Sequence, residues 1–420
     1  MNPATAEPPG DWGDISDAEL LNVESEHLDT ALPHPDSHSE LSEKIHDPGK
    51  QAEQRPARVI AVGSSGVGRT PQKRKRPGPG RSPMERFSRR HLSVTQVCGQ
   101  TWCELQVAYG LELPHLMRRE GERAEVKAGA SIHMARELEV HDVVPVCTQS
   151  REDRQAITFL NFLSAMPTLQ AGDRVQELPV FGVLEDVFLV GVIDELCYTD
   201  KGELALNELK TRKQNCLPTP AQVKGHNLQV GLYKLLFDSL VRGELTREQV
   251  ITHLQLRPQR ALGAGVLEHA AKLDLQVSTF GDLLDVLILN LNYCELPPID
   301  LLRLEYCHQG SGSLIEYQDV PFSEPLLRAE LRYYLSYWTG HREPRGVDIE
   351  EAWKCTYCSF KGHCEWKWEG LQRTVTTPND KTLTDHTGQQ NSLIDDHNHQ
   401  QNPMSTVTTP TDETLTQAPV

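Results

Sequence analysis

Two short stretches of sequence decide the fold of this 420-residue chain: Gly191-Val-Ile-Asp194-Glu195 and Asn207-Glu208-Leu209-Lys210. They lie within two apolar segments, at residues 187–198 and 204–212. The residues between these segments, 199–202, read Thr-Asp-Lys-Gly, a composition that is typical of a tight turn. The sequence therefore predicts two neighbouring strands that form a hairpin.

The hairpin is predicted to bring three charged side chains together. Glu208 and Lys210 share one face because side chains alternate along a strand, and the turn brings Asp194 beside them. Burying two carboxylates and an ammonium group in an apolar sheet is costly unless a divalent cation compensates the charges. Carboxylate oxygens suit Mg²⁺ or Mn²⁺. The alternative is that Asp194 lies in a turn while Glu208 and Lys210 form an ordinary exposed pair.

A metal-dependent phosphodiester hydrolase is the chemistry that fits the metal-binding interpretation. Asp194 and Glu208 would bind the cation, which polarises a phosphate and lowers the pKa of a bound water. Lys210 would position that water and stabilise the charge that develops on the phosphate. His133, on a predicted upstream helix, is a candidate third ligand, although a lone histidine also fits a core or surface position. Glu177 is a further candidate carboxylate.

A helix predicted at about residues 221–240 carries a polar stripe. Gln229 and Tyr233 are neighbours on one face because they are four residues apart, and Gln222 and His226 extend that face. Glutamine and tyrosine can bond phosphate oxygens and stack on bases, so we predict that Gln229 and Tyr233 contact single-stranded DNA. An ordinary polar helix face is the alternative.

Three cysteines lie within ten residues near the end of the predicted core: Cys355, Cys358 and Cys364. Such thiolates bind zinc or an iron–sulfur cluster, and their spacing alone does not separate the two. A fourth ligand must come from far upstream, where Cys103 is our prediction and Cys98 is the alternative. A single distant ligand would close a loop of about 250 residues, which stabilises a fold by restricting the unfolded chain.

The composition divides the chain into three regions. Residues 1–81, acidic and then basic, are rich in Pro and Ser and are predicted to be disordered. Residues 82–370 carry the strand and helix patterns of an α/β or α+β fold, and of the two we predict α/β, with a mixed sheet flanked by helices. Residues 371–420 are rich in Thr, Asn and Gln and are also predicted to be disordered.

The net charge of −17 does not exclude a nucleic-acid partner, because it is concentrated near the chain ends. Residues 1–57 alone hold 13 acidic and 3 basic side chains. The run Lys73-Arg74-Lys75-Arg76 is typical of a nuclear import signal or a DNA-attracting arm, with a solvated charge run as the alternative. No apolar run reaches the roughly 18 residues that a membrane span needs, so we expect no membrane partner.

One further motif is similar to a phosphate-binding P-loop: Gly63-Ser-Ser-Gly-Val-Gly68-Arg69-Thr70, which follows an apolar run. The lysine that such a loop needs is replaced by Arg69, and Pro71 stands where the helix should begin. We therefore do not predict an ATPase.

Five features point together to one known group: Gly-Val-Ile-Asp194, Glu208-x-Lys210, Gly129-x₃-His133, Gln229-x₃-Tyr233 and the four cysteines. With them, the chain resembles RecB-type PD-(D/E)XK nucleases that carry an iron–sulfur cluster. The sequences of residues 82–87, 102–106 and 127–133 are similar, more specifically, to those of the vertebrate-type exonuclease V family. The resemblance covers about residues 82–370.

The resemblance implies a restriction-endonuclease-like PD-(D/E)XK core that a four-cysteine [4Fe–4S] staple closes. It also implies a Mg²⁺-dependent exonuclease that acts on single-stranded DNA with 5′-to-3′ polarity. It assigns cluster ligation to four cysteines, and metal binding and catalysis to four further residues: Cys103, Cys355, Cys358, Cys364, His133, Asp194, Glu208 and Lys210.

The same resemblance gives expectations about the cellular context. We expect a monomer that acts in DNA repair in the nucleus, with the cytosol or mitochondrion as alternative locations. A single-strand-binding protein is the expected protein partner. The alternative function is a non-catalytic, cluster-stabilised module that binds single-stranded DNA.

Overall fold

A computed structural model describes residues 57–63, 81–121 and 123–366 of the chain. Within these ranges the strands, in chain order, are β1 (Ala57–Gly63), β2 (Leu92–Ser93), β3 (Asp142–Thr148), β4 (Val175–Leu184), β5 (Val187–Tyr198), β6 (Leu204–Arg212), β7 (Leu301–His308) and β8 (Leu314–Asp319).

The helices of the same ranges are α1 (Pro83–Arg86), α2 (Val94–Gly99), α3 (Glu104–Glu112), α4 (Pro114–Gly121), α5 (Ala124–Val140), α6 (Arg151–Gln170), α7 (Pro220–Val241), α8 (Arg247–Leu254), α9 (Ala264–Lys272), α10 (Phe280–Asn292) and α11 (Glu324–Trp338), followed by a 3₁₀ helix (Ile349–Thr356). None of these helices is both long and apolar enough to cross a membrane.

A mixed sheet of six strands lies at the centre of the described fold. Its order is β2-β5-β6-β7-β8, and β4 also pairs with β5. The β2–β5 and β6–β7 pairs are parallel, whereas the β4–β5, β5–β6 and β7–β8 pairs are antiparallel. The predicted α/β class with a mixed central sheet and flanking helices is confirmed.

Helix α7 is the principal helix of the core. The side-chain oxygen of Gln222 accepts the backbone amide of Thr219 at 2.9 Å, and Pro220 occupies the first helical position, so the start of the helix is well defined. Almost every side chain from residue 228 to residue 241 is buried. Because α7 packs against β4, β5, β6 and β7, it fixes the position of any side chain that it directs toward the sheet.

The predicted hairpin is confirmed at the residue level, since β5 and β6 have the predicted bounds. The amide of Thr199 donates to the carbonyl of Glu203 at 2.9 Å, and the amide of Gly202 donates to the carbonyl of Thr199 at 2.8 Å. Gly202 has a φ of +79°, which glycine adopts without steric cost. The Thr-Asp-Lys-Gly composition therefore encodes the turn that sets the register of the two strands.

The prediction of disorder for residues 1–81 does not hold for residues 57–63, which form strand β1. This strand pairs in parallel with β3 along all seven of its residues. The side chain of Asn161 on α6 accepts the amide of Val59 at 3.0 Å and donates to its carbonyl at 2.9 Å. The β-branched residues of this run favour a strand, a local signal that the polar composition of the surrounding region outweighed in the prediction.

The P-loop-like run also begins in this strand, since β1 includes Gly63, whereas residues 64–70 lie outside the described residues. The basic run at 73–76 and the tail at 371–420 lie outside them as well.

Residues 93–108 carry a pattern of apolar residues that favours one continuous helix. The chain instead forms α2 and α3, which a turn at residues 100–102 separates. Cys103 follows the turn with an extended backbone and is the N-cap residue of α3. The interruption therefore places the thiol of Cys103 at the N-terminal end of a helix rather than in the middle of one.

Candidate active site

Strands β5 and β6 separate at the position of Asp194. Their pairing ends at Glu195 and Asn207, whereas β6 continues beside β7. The side chain of Asp194 lies in this fork, where its Oδ2 accepts the backbone amide of Leu209 at 2.8 Å. Because Leu209 stands between Glu208 and Lys210 in the sequence, the fork brings the three predicted charged residues together.

Glu208 and Lys210 form a buried ion pair on one face of β6. The Nζ of Lys210 lies 2.9 Å from Oε1 of Glu208, and the two side chains are 1% and 0% exposed, respectively. The alternative of an ordinary exposed pair is therefore excluded. Lys210 also donates to Oε1 of Gln229 at 2.7 Å, and the Nε2 of Gln229 donates to Oε1 of Glu208 at 2.9 Å. The three side chains form a closed hydrogen-bonded triangle.

Gln229 and Tyr233 require a correction, because the predicted contact with DNA assumed an exposed helix face. Gln229 is 4% exposed and Tyr233 is 0% exposed, since α7 lies against the sheet. The Nε2 of Gln229 donates to the hydroxyl of Tyr233 at 2.9 Å. Their polar atoms therefore point to the charged residues of β6, and neither side chain has a surface on which a base could stack.

His226 and Gln222, which were predicted on the same stripe, also have partners within the protein. His226 is buried, and its Nδ1 lies 3.1 Å from the hydroxyl of Tyr306 on β7. Burial, together with the charges of Lys210 and Arg212, lowers its pKa well below the ordinary value, so the imidazole is neutral. The stripe as a whole supports the charged face of the sheet.

Gly191 allows the aromatic ring of Tyr233 to approach β5. A Cβ atom at Gly191 would lie 2.5 Å from a ring carbon of Tyr233 and 3.2 Å from Val94. Contacts as short as 2.5 Å are incompatible with any side chain unless the ring moves. The glycine of the Gly-Val-Ile-Asp194 motif is therefore explained by packing beneath the charged residues.

Glu177 lies opposite Asp194 across β4 and β5, because the register pairs the preceding Gln176 with Glu195. Its backbone has a φ of +51°, a left-handed conformation that costs a non-glycine residue about 1–3 kcal/mol. Like charges in directly opposite positions are also unfavourable in a sheet. Backbone strain and charge repulsion at one position are typical of a functional site.

His133 on α5 completes a group of candidate metal ligands. One ligand atom from each of His133, Glu177 and Asp194 lies within 4.8 Å of the others. The Nδ1 of His133 is 3.6 Å from Oδ1 of Asp194. The three side chains are between 10% and 11% exposed, so the group is recessed but reachable.

The electrostatics of this group depend on burial and on the excess of carboxylates. Burial alone would lower the pKa of His133, but the charges of Asp194, Glu177 and Glu208 raise it to about 9. Burial and the charge of Asp194 raise the pKa of both Glu177 and Glu208. Burial also opposes the ionised form of Asp194, yet His133 and Lys210 hold its pKa below the usual value.

These residues fit a hard divalent cation. The Oε2 of Glu208 is buried and accepts no hydrogen bond from the described residues. A buried carboxylate oxygen without a donor is costly, and coordination to a cation would compensate it. The carboxylates of Glu177 and Asp194 and the imidazole of His133 provide the oxygen-rich donors that Mg²⁺ or Mn²⁺ prefers. Glu208, a predicted ligand, lies outside the group of atoms within 4.8 Å of one another, and its buried Oε2 would extend that donor set.

Arg58 is a site residue that the sequence-based prediction missed. Its Nη1 lies 2.6 Å from Oε1 of Glu137 on α5 and 3.5 Å from Oε2 of Glu177. The arginine therefore connects β1 to the helix that carries His133 and to a candidate ligand. The signal was present as a basic residue beside a β-branched run, but the polar composition of the region concealed it.

The four predicted cluster cysteines are neighbours in the structure. Burial raises the pKa of Cys103 to about 11, and the charges of Cys358, Cys355 and Cys364 contribute to the increase. Cys98 lies instead in the hydrophobic core. Of the two alternatives for the first ligand, the structure thus places Cys103, and not Cys98, with the downstream trio.

Aromatic and charged side chains hold the region of Cys103 against the end of the described chain. Trp102 meets Trp353 edge-to-face with ring centroids 5.6 Å apart. The Nζ of Lys354 lies 4.5 Å from the centroid of Trp102 and donates to its carbonyl at 3.3 Å. Tyr109 stacks on Phe360 at 6.0 Å. These contacts hold the segment of Cys103 beside the segment of Cys355, Cys358 and Cys364.

Comparison with known proteins decides the family. The sequence model of one family, described as "Exonuclease V - a 5' deoxyribonuclease", matches residues 82–205, 199–285 and 298–367, well over half of the chain. The chain belongs to the exonuclease V family. Exonuclease V of Danio rerio is 49% identical over 365 residues, which are 85% of this chain and 92% of that relative.

Membership of this family makes the chain an enzyme, a DNA exonuclease, and sets aside the non-catalytic alternative. Among solved structures, the one described as "Crystal structure of SSO0001" covers 68% of this chain and 92% of its own, with 14% identity and a TM-score of 0.34. A likeness this weak supports no conclusion about the fold.

Proposed function

We propose that the chain hydrolyses single-stranded DNA from its 5′ end in a reaction that requires Mg²⁺ or Mn²⁺. The observation that supports this most strongly is the recessed group of His133, Glu177 and Asp194 beside the buried Glu208–Lys210 pair, in a chain of the exonuclease V family. The preference for single strands and the 5′-to-3′ polarity rest on the family resemblance.

Each side chain of the site has a distinct role in this proposal. Glu177, Asp194 and Glu208 would bind the cation through oxygen, with His133 as a nitrogen ligand. A bound cation supplies the Lewis acidity that polarises the scissile phosphate and lowers the pKa of a water. The ammonium group of Lys210 stabilises the negative charge that develops on the phosphate oxygens. The amide of Leu209 fixes the orientation of the Asp194 carboxylate.

We further propose that Cys103, Cys355, Cys358 and Cys364 bind a [4Fe–4S] cluster. The support is the proximity of the four thiols, whose mutual repulsion contributes to the raised pKa of Cys103. Four thiolates in close proximity are stable only when a metal compensates their charge. The cluster would be structural, since it joins the start and the end of the described domain.

The cellular context belongs to the same proposal. A nuclear location, a part in DNA repair, a monomeric state and a single-strand-binding protein as partner rest on the family resemblance and on the basic run at residues 73–76. A digestion by this protein would accordingly be measured on naked DNA and on DNA coated with a single-strand-binding protein.

A digestion time course on end-labelled DNA tests the proposed function. We expect degradation of single strands from the 5′ end, only with Mg²⁺ or Mn²⁺, and much slower degradation of duplexes. Asp194→Ala and Lys210→Ala should each reduce cleavage by at least about 100-fold and still bind the strand. Lys224→Ala, which removes an exposed lysine, is the matched control. Equal cleavage by all four proteins would exclude the assignment.

A further inference from the structure

A cavity of about 320 Å³ lies beside the candidate metal group and includes Glu177 and Asp194 in its wall. This volume is at the lower end of the range for ligand sites, about 300–1,000 Å³, and suits a ligand of nucleotide size. The remaining polar wall is rich in arginines, which come from β1, from the segment before β2 and from α6: Arg58, Arg89, Arg90, Arg151 and Arg154.

Helix α6 contributes a stripe of hydrogen-bond donors to this cavity. Arg151, Arg154, Gln155, Thr158 and Asn161 all line it. Apart from the adjacent Arg154 and Gln155, successive members are three residues apart, which places them on one helix face. The amphipathic pattern of α6 therefore has a cationic and polar side that faces a cavity, while its apolar side packs on the sheet.

The arginines of the wall are held in place by neighbouring groups. The Nε of Arg90 donates to Oε1 of Gln255 at 3.1 Å, and the Nη2 of Arg151 donates to the carbonyl of Leu254. A guanidinium group stays protonated throughout the pH range in which proteins fold, so both side chains bring positive charge to the wall of the cavity. Among the described residues of the wall, the acids are Glu177 and Asp194, and both belong to the metal group.

Two donors in the wall have no acceptor among the described residues. The Nε2 of Gln155 and the Nε of Arg58 are buried and donate to no acceptor in the described part of the chain. Buried donors without a partner are rare in native proteins and indicate a ligand that supplies the acceptor. An oxyanion such as a phosphate group, with several acceptor oxygens, suits both these donors and the surrounding cations.

We propose that this cavity binds the 5′-terminal nucleotide of the DNA strand through its 5′-phosphate. The inference rests on the proposed function, because the cavity adjoins the metal group that would cleave the strand. A terminal phosphate carries more charge than an internal one, so a cationic cavity of nucleotide size distinguishes a strand end from the interior of a strand. The arginines of α6 and of residues 89–90 provide that distinction, and they are specificity-determining rather than catalytic.

Equilibrium binding with Ca²⁺ in place of Mg²⁺ tests the proposal. The probes are two oligothymidylates of about twelve nucleotides with a 3′ fluorophore, one with a 5′-phosphate and one with a 5′-hydroxyl. We expect the 5′-phosphate strand to bind about 10- to 100-fold more tightly, because charge-assisted hydrogen bonds to phosphate are involved. Inorganic phosphate should compete with the phosphorylated strand more strongly than with the hydroxyl strand.

Arg154→Ala and Arg89→Ala, on two different elements, should each reduce this preference toward unity. Arg332→Ala on α11, which removes an arginine that pairs with Glu185 outside the cavity, should leave it unchanged. Each variant's affinity for the hydroxyl strand reports whether its fold is intact, since a general loss lowers both affinities equally. Only a selective loss for the phosphorylated strand supports the proposal.

Equal affinities of the wild-type protein for the two strands would overturn the proposal, as would a preference that survives both substitutions. Equal affinities are expected if the cavity instead holds an internal stretch of the strand. Cleavage of the hydroxyl strand with Mg²⁺ separates this failure from a failure of the proposed function. If both strands are cleaved but bind equally, only the cavity assignment fails, and if neither is cleaved, the proposed function fails.

Discussion

The ammonium group of Lys210 has an environment that few lysines have. It is 1% exposed, and it lies between an oxygen of Glu208 at 2.9 Å and an oxygen of Gln229 at 2.7 Å. A buried charge is tolerated only when it is paired and hydrogen-bonded, so both partners are needed to keep it in place. Gln229 does this from a position that is only 4% exposed, so we expect it to be a positioning residue.

Gln229→Leu should therefore lower the cleavage rate constant and leave the affinity for single-stranded DNA unchanged. We expect a loss of about 10- to 100-fold in kcat, because Lys210 loses the acceptor that orients its ammonium group. Single-turnover cleavage and equilibrium binding measure the two quantities. Lys224→Ala, on the exposed face of the same helix, is the control. A weakened affinity with unchanged kcat would instead indicate that Gln229 contacts the DNA directly, despite its burial.

Among the side chains of the site, the sequence predicted that Asp194, Glu208 and Lys210 lie close together, because alternation along a strand and a short turn determine their positions. It indicated Glu177 only weakly, because the position of Glu177 depends on the β4–β5 register and on a left-handed backbone that no local pattern encodes. Arg58 was not predicted, since its role depends on a pairing with β3, a strand that lies about 80 residues away.

Strand β5 pairs with three other strands of the sheet, β2, β4 and β6. Its first half lies between β4 and β2, its last residues pair with β6, and the segment with Gly191 and Asp194 lies in the fork between these pairings. On one side the fork holds Asp194, and on the other the ring of Tyr233 packs against Gly191. The chemistry and the packing of the site thus share four residues of one strand.

Gly191→Ala should disturb both the packing of Tyr233 and the catalytic activity of the site. Its Cβ would lie 2.5 Å from the Tyr233 ring, so the ring must shift, at a cost of about 1–3 kcal/mol in the free energy of unfolding. We also expect slower cleavage, because Tyr233 supports Gln229. Gly182→Ala is the matched control, since its Cβ would meet only a leucine methyl at 3.5 Å, an ordinary contact. Equal thermal unfolding and cleavage for the two variants would contradict this explanation.

Among the strands and helices, the sequence predicted β5, β6 and most of α7, each of which has a clear pattern of apolar residues. It failed where tertiary contacts override local composition. The turn that divides α2 from α3 breaks an otherwise helical pattern, and β1 forms within a polar region because Asn161 and β3 satisfy its backbone.

Across the whole described domain, the contacts around Cys103 join the residues before α3 to the 3₁₀ helix near residue 355. The chain between them contributes every strand of the central sheet except β2. A cluster that binds all four cysteines would close a loop of about 250 residues and disfavour the unfolded state. The sequence predicted this connection from the spacing of the cysteines, but only the fold distinguishes Cys103 from Cys98 as the candidate first ligand.

Cys103→Ala should abolish iron binding, whereas Cys98→Ala should retain it. We expect anaerobically purified protein to be brown, with iron and labile sulfide in equal amounts, and expect Cys103→Ala to lower Tm by about 5–10 °C. Metal analysis and thermal unfolding of the two variants provide the measurements. Stoichiometric zinc in colourless wild-type protein would contradict the cluster, and iron loss in Cys98→Ala alone would reverse the ligand assignment.

The central claim is that the acids of the fork bind one catalytic cation, and anomalous diffraction from crystals soaked in Mn²⁺ tests it most directly. We expect a manganese peak within coordination distance of the carboxylates of Glu177 and Asp194 and of Oε2 of Glu208. The peak should disappear in Asp194→Ala. A protein that cleaves DNA with Mn²⁺ while its manganese lies elsewhere, or nowhere in the fork, would contradict the account.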